Sequence, residues 1–428
     1  MSKVKLALLG LVVAVFALGV TACGGDDDGD GDGEAPGEAS FELTIGDLVP
    51  LTGDLSQFGP PGEKAADLAV EEASSALEEA GSDVTVTVNH ADTETVPQAA
   101  QSAASQLVSD GATCLAGAWA SANTIPVGRS VAARSQIPLI SPASTSPEIT
   151  ELPDDGYVFR TAASDALQGF VLADAVEEAV GADALVSTAA RNDAYGEGLI
   201  NNFIAAWEEK GGEVTGPVLY DVEQASYNSE AGQIVEGNPD AYVIIDFEEP
   251  YNQVGAALAR TGDFDPQNMF TADGLAFTEL GETAVPPDSL DGASGTRPST
   301  PQETEAATAF DELFSSAPGP GRQTFDAQNF DAVMLCILAA VAAGSNEGPA
   351  IQEQIQNVAS APGDQYDWTQ LGDAITALQD GEDIDFEGVS GPLDLDDNGD
   401  PTVGFYETWT YQNGTLQVEE TVEFEAEE

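Results

Sequence analysis

Residues 41–80 read FELTIGDLVPLTGDLSQFGPPGEKAADLAVEEASSALEEA. Phe41 to Val49 carries the apolar run of a strand buried on both faces. Pro61 stands in the first turn of a helix that reaches Ala80, and Gly81 supplies its stop. The same unit then repeats. Val84, Val86 and Val88 predict a strand, and Pro97 opens a helix to Asp110. Cys114 to Gly117 is a short buried strand, Asn123 to Arg134 a helix and Ile137 to Ile140 extended. The order βαβαβαβ predicts a parallel sheet with helices on both faces.

A loop rich in Ser, Thr and Pro, Ser141 to Thr150, interrupts the pattern, which then restarts. Helices are expected at Ala166–Val180, Gly196–Lys210 and Gln253–Arg260, with strands at Ala184–Thr188, Val214–Tyr220, Ala241–Phe247 and Asn268–Ala272. Past Gly295, the helices Pro301–Phe314, Phe325–Ala343 and Leu371–Leu378 need a sheet to cover, so the chain is expected to return to its first lobe. Two lobes follow, 41–161 with 298–402 and 162–297 with 403–428. A body of this length exceeds what one core usually organises. The strand ends of both lobes would face a shared cleft, where open α/β sheets bind ligands.

The N-terminus has the parts of a secretory signal over residues 1–22: Lys3 and Lys5, an apolar run from Leu6 to Val20, and small residues before Cys23. The run is short for a membrane span. Val20-Thr21-Ala22-Cys23 resembles the lipobox of bacterial lipoproteins, which implies a diacylglyceryl anchor on Cys23 and a place at the extracytoplasmic face of a membrane. Residues 24–40 contain no large apolar side chain and read as a disordered acidic tether.

The chain has 76 Asp and Glu against 11 Lys and Arg, a net charge of −65. Nucleic acid and anionic lipid head groups are poor partners for such a surface, and its self-repulsion is relieved in concentrated salt, so a saline exterior is expected. Cys114 and Cys336 lie in apolar segments and are read as two buried thiols in preference to a disulfide, with their pairing left open. His90, the sole histidine, follows a strand without a nucleophile motif, which argues against a hydrolase. Asp394, Asp396, Asn398 and Gly399 match half of a calcium loop, but Phe405 stands where the bidentate acid belongs. Asn398-Gly399 is expected instead as a hairpin turn between Gly391–Leu395 and Val403–Thr410. Neither a metal nor a cofactor is expected.

What remains is a set of loops at strand ends: Pro50–Gly53 with Ser56–Gly59, Ala120-Ser121, Ser141–Pro147, Asp193–Gly198 and Ala272–Gly274. They gather hydroxyls, backbone groups, aromatic rings and one carboxylate, a combination suited to a zwitterion. Together with Phe159-Arg160-Thr161 and Phe330-Asp331-Ala332, and in the same order from Ile45 to about Thr415, they resemble the leucine/isoleucine/valine-binding proteins, receptors of branched-chain amino-acid ABC transporters. The resemblance implies a type I periplasmic-binding-protein fold: α/β, two doubly wound parallel-sheet lobes joined by a three-crossover hinge. It implies an amino acid as ligand, a permease as partner and no catalysis.

Position by position, the resemblance puts the ligand carboxylate on Ser121 and Thr145, in the loop with Ser144. The ligand ammonium falls on the Ala143 carbonyl and on Asp273, followed by Gly274. Phe58 and Tyr195 would close on the side chain, Phe325 would form the wall, and Asp165 matches an acid at the lobe crossing. Trp119 points either into the pocket or into the sheet. Glu248 either selects a polar or cationic side chain or is a solvated acid. Members of the family also take amides, urea-like compounds and aromatic acids, and a sensing lipoprotein of the same fold is the rival to transport.

Overall fold

Strand β1 (Glu42–Val49) and helix α1 (Gly59–Glu79) form where the opening stretch predicts them. The helix ends in a left-handed Gly81, φ 71°, whose N–H donates to Glu78 O at 3.1 Å while Ser82 N–H reaches Leu77 O at 2.9 Å. These are the paired bonds of a Schellman stop, which need glycine's tolerance of positive φ. The computed structural model describes residues 40–425 except 279, 285, 287, 288 and 303. The expected signal, Cys23 and the tether up to residue 39 lie outside the described residues.

The first sheet continues through β2 (Thr85–Asp92), α2 (Pro97–Ser109), β3 (Cys114–Ala116), α3 (Ser121–Val127), a π-helical turn at Gly128–Ala132, α4 (Ala133–Ser135), β4 (Leu139–Ser141) and β5 (Val158–Arg160). Its order is β2-β1-β3-β4-β5, parallel throughout. The second half adds α5 (Asp165–Val180), β6 (Leu185–Arg191), α6 (Ala194–Glu209), β7 (Glu213–Tyr220), α7 (Asn228–Ile234), β8 (Ala241–Ile245), α8 (Glu248–Thr261), β9 (Met269–Thr271), α9 (Leu280–Thr283) and β10 (Ser294–Pro298). The chain then returns through α10 (Glu305–Ser316), α11 (Asp326–Ala343), α12 (Gly348–Ala359), β11 (Asp364–Asp367), α13 (Leu371–Gln379), β12 (Ile384–Gly388) and β13 (Gly391–Pro392). It closes with β14 (Val403–Gln412) and β15 (Thr415–Glu425). The second sheet runs β15-β14-β10-β9-β8-β6-β7, so the chain passes between the two large sheets three times, after β5, after β10 and before β14.

Only part of the second sheet is parallel, because β10, β14 and β15 pair antiparallel along one edge. The hairpin that builds this edge turns at Asn413-Gly414, both left-handed with φ 55° and 80°, as a two-residue type I′ turn requires. The hairpin expected at Asn398-Gly399 does not form. There the chain makes one isolated bridge, Leu395 to Pro401, and β13 pairs back onto β12 instead. Asp396 explains the difference: its Oδ1 accepts from the N–H groups of Asn398 at 2.8 Å and Asp400 at 3.0 Å, which closes a local turn and leaves β14 to its longer pairing with β15.

Helix α11 is long and apolar enough to cross a membrane, but it is buried in the core of the first lobe against α1 and β3. That packing corrects the expectation of two free thiols. Cys114 on β3 and Cys336 on α11, both fully buried, form a disulfide across a Cα–Cα distance of 5.9 Å. The bridge closes a loop of 222 residues and fits an oxidising compartment. Replacing both cysteines by alanine is expected to lower stability by about 2–4 kcal/mol, since long-loop bridges restrict the unfolded chain most. Denaturant unfolding of the variant checks this, and an unchanged midpoint would refute it.

His90 lies on β2 between two acids, with Nδ1 at 2.7 Å from Asp47 and Nε2 at 3.1 Å from Asp67. Burial alone would lower its pKa, but the hydrogen bond and charge of Asp47, then those of Asp67, outweigh burial and push it to about 9. A basic group with a raised folded pKa stabilises fully below its unfolded value near 6.5 and loses that contribution as pH rises through about 9. The expected loss between pH 7 and 10 is about 1–2 kcal/mol after screening at this partly exposed position. Thermal unfolding of His90→Gln over that window should lack this component of the fall.

Candidate functional site

The loops that leave β1, β3, β4, β6, β8 and β9 meet with the residue before α11 around a narrow cavity. Its lining is Leu55, Phe58, Trp119, Ala120, Ser121, Ala143, Tyr195, Phe247, Asp273, Gly274 and Phe325. The empty space at these residues, part of it open to solvent, is about 310 Å³, and about 20 Å³ is open to the centre of a water-sized sphere. A water needs about 10–15 Å³ by that measure, so the cavity as it stands admits little more.

The backbone is distorted where the rings are set. Trp119 and Phe325 both sit in the left-handed region, φ 67° and 73°, which is costly for bulky residues and clusters at functional sites. Their rings meet edge to face at 6.4 Å, and Phe325 meets Phe58 in the same way at 6.4 Å. The indole of Trp119 fills the space beside Gly62 of α1, where an added Cβ would fall 2.2 Å from Cζ2. Across the cavity, Tyr195 stacks on Phe247 at 5.1 Å, and the Arg191 guanidinium covers Phe247 at 3.7 Å. Arg191 also holds Asp193 at 2.6 Å and reaches Asp54, on the first lobe's β1 loop, at 3.5 Å.

Asp273 is the charged group in the lining. It is nearly buried, with Oδ1 accepting from Gln168 Nε2 at 3.0 Å and from the Tyr195 hydroxyl at 3.2 Å. Burial pushes its carboxyl up to about 6, and the bonds from Gln168 and Tyr195 restrain the rise. Burial and the neighbouring charge of Asp273 hold the Tyr195 phenol well above its ordinary value, so it stays a donor, while Gly274 N–H donates back to its oxygen at 3.3 Å. Ser121 Oγ accepts from Ser146 N–H at 3.2 Å, leaving its own proton to give.

Of the ten residues the sequence puts at the ligand, Phe58, Ser121, Ala143, Tyr195, Asp273, Gly274 and Phe325 line the cavity, whereas Ser144, Thr145 and Asp165 do not. Ser144 turns its hydroxyl to Trp119 O and Thr124 Oγ1, both at 2.7 Å, and so joins the loops after β3 and β4. Thr145 accepts the Asp165 N–H at 2.8 Å behind the lining. Trp119 points into the pocket. Glu248 opens α8 in an outer groove beside Asp54 and Ser56, outside the cavity lining. Leu55 and Phe247 are lining residues that the sequence reading does not single out, whereas Ala120 belongs to the strand-end loop it names. The signal for Phe247 is its place at the end of β8, the same strand-end position that picks out Ser121 and Asp273.

Two lobes, three crossings and a cavity at the strand ends define a substrate-binding protein of the type I periplasmic fold. The sequence profile of the family described as periplasmic binding protein matches residues 42–378, and the chain belongs to that family. It is 24% identical over 381 residues to a Leu/Ile/Val-binding protein homolog of Brucella abortus, covering 88% of this chain and 92% of the relative. It is 26% identical over 371 residues to BasB, the substrate-binding protein of a chemotactic signal transduction system in Halobacterium salinarum, covering 85% and 86%. Among solved structures, the branched-chain amino acid transporter protein LivJ of Streptococcus pneumoniae with isoleucine superposes with a TM-score of 0.70, at 21% identity over 90% of this chain and 100% of that one. A Rhodopseudomonas palustris solute-binding protein with benzoate gives 0.67, at 19% identity over 91% and 98%.

Proposed function

We propose that the protein is the extracytoplasmic receptor of an ABC importer for an amino acid with an apolar, branched side chain. The observation that carries this reading is Asp273, a buried carboxylate in a ring of aromatic residues with no cation in the lining. An amino acid supplies both halves of the match, an ammonium for Asp273 and an apolar body for Phe58, Trp119, Tyr195, Phe247 and Phe325. Its carboxylate falls to the Ser121 hydroxyl and the Ala143–Thr145 loop. An aromatic acid such as benzoate would bring a second negative charge beside Asp273 and leave both uncompensated.

The lobes close on the ligand by hinge motion, and the closed form is what a permease would recognise. Lipidation of Cys23 would hold the receptor at the outer membrane face. The Halobacterium relative favours a second reading, in which the same binding event is sensed by a membrane transducer. Genes for a permease and two ATPases beside this one would decide for transport.

The test is a thermal-shift screen in molar salt with L-leucine, L-isoleucine, L-valine, acetamide, urea and benzoate. A branched-chain amino acid at 100 times its dissociation constant should add about 2.7 kcal/mol to stability. A shift with benzoate alone would overturn the proposal. The same apparatus tests the salt adaptation implied by the net charge of −65. The unfolding midpoint should rise from very low ionic strength to molar salt, where the Debye length falls to about 3 Å.

A further inference from the structure

Behind Asp273 lies a second carboxylate that the cavity does not touch. Asp165 opens α5 at the first crossing and is fully buried; the Thr145 hydroxyl faces its carboxylate, but not in the geometry of a full hydrogen bond, and neither oxygen has another partner among the described residues. Its N–H donates to the Thr145 carbonyl at 2.8 Å, so the residue ties the second lobe to the β4 loop of the first. Gln168, three residues on and so on the same face of α5, donates to Asp273 at 3.0 Å while its own Oε1 stays unpartnered. Asp165, Gln168 and Asp273 thus form one contiguous buried group.

Among the described residues, no cation donates a hydrogen bond to either acid. Arg160 on β5 is the cation whose charge reaches Asp165, but its donors are committed to Asp400, Thr150 and the carbonyls of Ser144 and Ser146. The remaining titratable groups that face the pair are phenols, Tyr195 from α6 and Tyr406 from β14, both held above their ordinary values chiefly by burial. Two ionised carboxylates in such a space would repel each other without screening. Acids placed this way titrate as a pair.

We infer that Asp165 and Asp273 together hold one proton in the ligand-free protein, and that the ammonium of the bound amino acid replaces it, the proton leaving for bulk water. This rests on the receptor reading above and deepens it. Asp165 becomes a specificity-determining residue: the pair exchanges its proton for a cationic nitrogen, which neither a neutral amide nor an anionic aromatic acid provides. Burial first, and then the charge of Asp273, raise the Asp165 pKa well above that of an ordinary carboxyl, while the Thr145 hydroxyl and the charge of Arg160 restrain the rise.

The first test needs no ligand. An acid that keeps its proton when folded and loses it when unfolded makes stability fall as pH rises. Asp165→Asn, a neutral isostere, should therefore melt several degrees above the wild type at pH 7.5, and the gap should close toward pH 4.5. A variant that melts lower at pH 7.5, or does not fold, overturns the inference, because the side chain would then be needed as an anion. The second test is calorimetric titration with L-leucine in phosphate and in Tris at pH 7.5. About one proton should be released per ligand bound by the wild type and close to none by Asp165→Asn; equal release by both overturns it. If L-leucine binds neither protein, the choice of ligand fails while the melting comparison still decides the proton.

Discussion

Asp273→Ala is expected to fold and to bind its ligand at least a hundredfold more weakly. In the wild type the carboxylate is nearly buried and fixed by Gln168 and Tyr195, so it meets an ammonium without first being reorganised. Removing it leaves a buried cation without its counter-charge, a change that costs about 3–5 kcal/mol. At about 1.4 kcal/mol per factor of ten, a hundredfold is the lower bound. Stability should not fall in parallel, because a carboxyl raised to about 6 by burial is a cost to the folded state at neutral pH rather than a support. The same raised value adds a further step to the pH dependence of binding in the wild type: affinity should drop more steeply as pH falls through about 6 and Asp273 itself takes up a proton. Calorimetry on the variant and across pH 5 to 8 checks both. Unchanged affinity in Asp273→Ala would remove the assigned site.

Much of this was legible because each functional group sits where a strand stops. Ser121, Ala143, Asp273 and Gly274 follow β3, β4 and β9 directly, and periodicity locates strands well enough to find their ends. Harder to read were features set by packing across the sheet. Trp119 enters the pocket because its backbone turns left-handed, which breaks the alternation from which a strand's side chains are assigned. The Cys114–Cys336 bridge depends on α11 lying across β3, and two apolar segments 222 residues apart carry no local sign of that meeting. The true hairpin turn, Asn413-Gly414, has the same residue types as Asn398-Gly399; the two differ in Asp396, whose side chain captures the second one in a local turn. Helix α12 is a different case: Ile351, Ile355 and Val358 stand at helical spacing and are buried, so its pattern is present in the sequence.

Arg160→Leu is expected to damage folding and binding together, which separates it from every change in the cavity itself. Arg160 has no exposed surface, and its guanidinium organises two loops. Nε donates to Asp400 Oδ1 at 2.6 Å and Nη2 donates to Oδ2 of the same carboxylate, a bidentate pair. Nη2 also reaches Thr150 Oγ1 at 2.8 Å, and Nη1 reaches the carbonyls of Ser144 at 3.3 Å and Ser146 at 3.0 Å. The loop after β4, with Ala143 on the cavity, is thus moored to the segment that leads into β14 at the third crossing. Leucine would leave Asp400 buried and unpaired and two carbonyls short of a donor, about 3–5 kcal/mol in all. Lysine should not rescue, since one ammonium cannot reproduce a planar fork that meets a carboxylate and two carbonyls at once. The double variant Arg160→Leu with Asp400→Leu should recover part of the stability, because no charge is left unpaired, yet none of the affinity, because the loop has lost its mooring. Denaturant unfolding and calorimetry on the three variants separate these effects. Wild-type behaviour in Arg160→Lys would show that the fork geometry does not matter, and recovered binding in the double variant would show that the loop holds its shape without it.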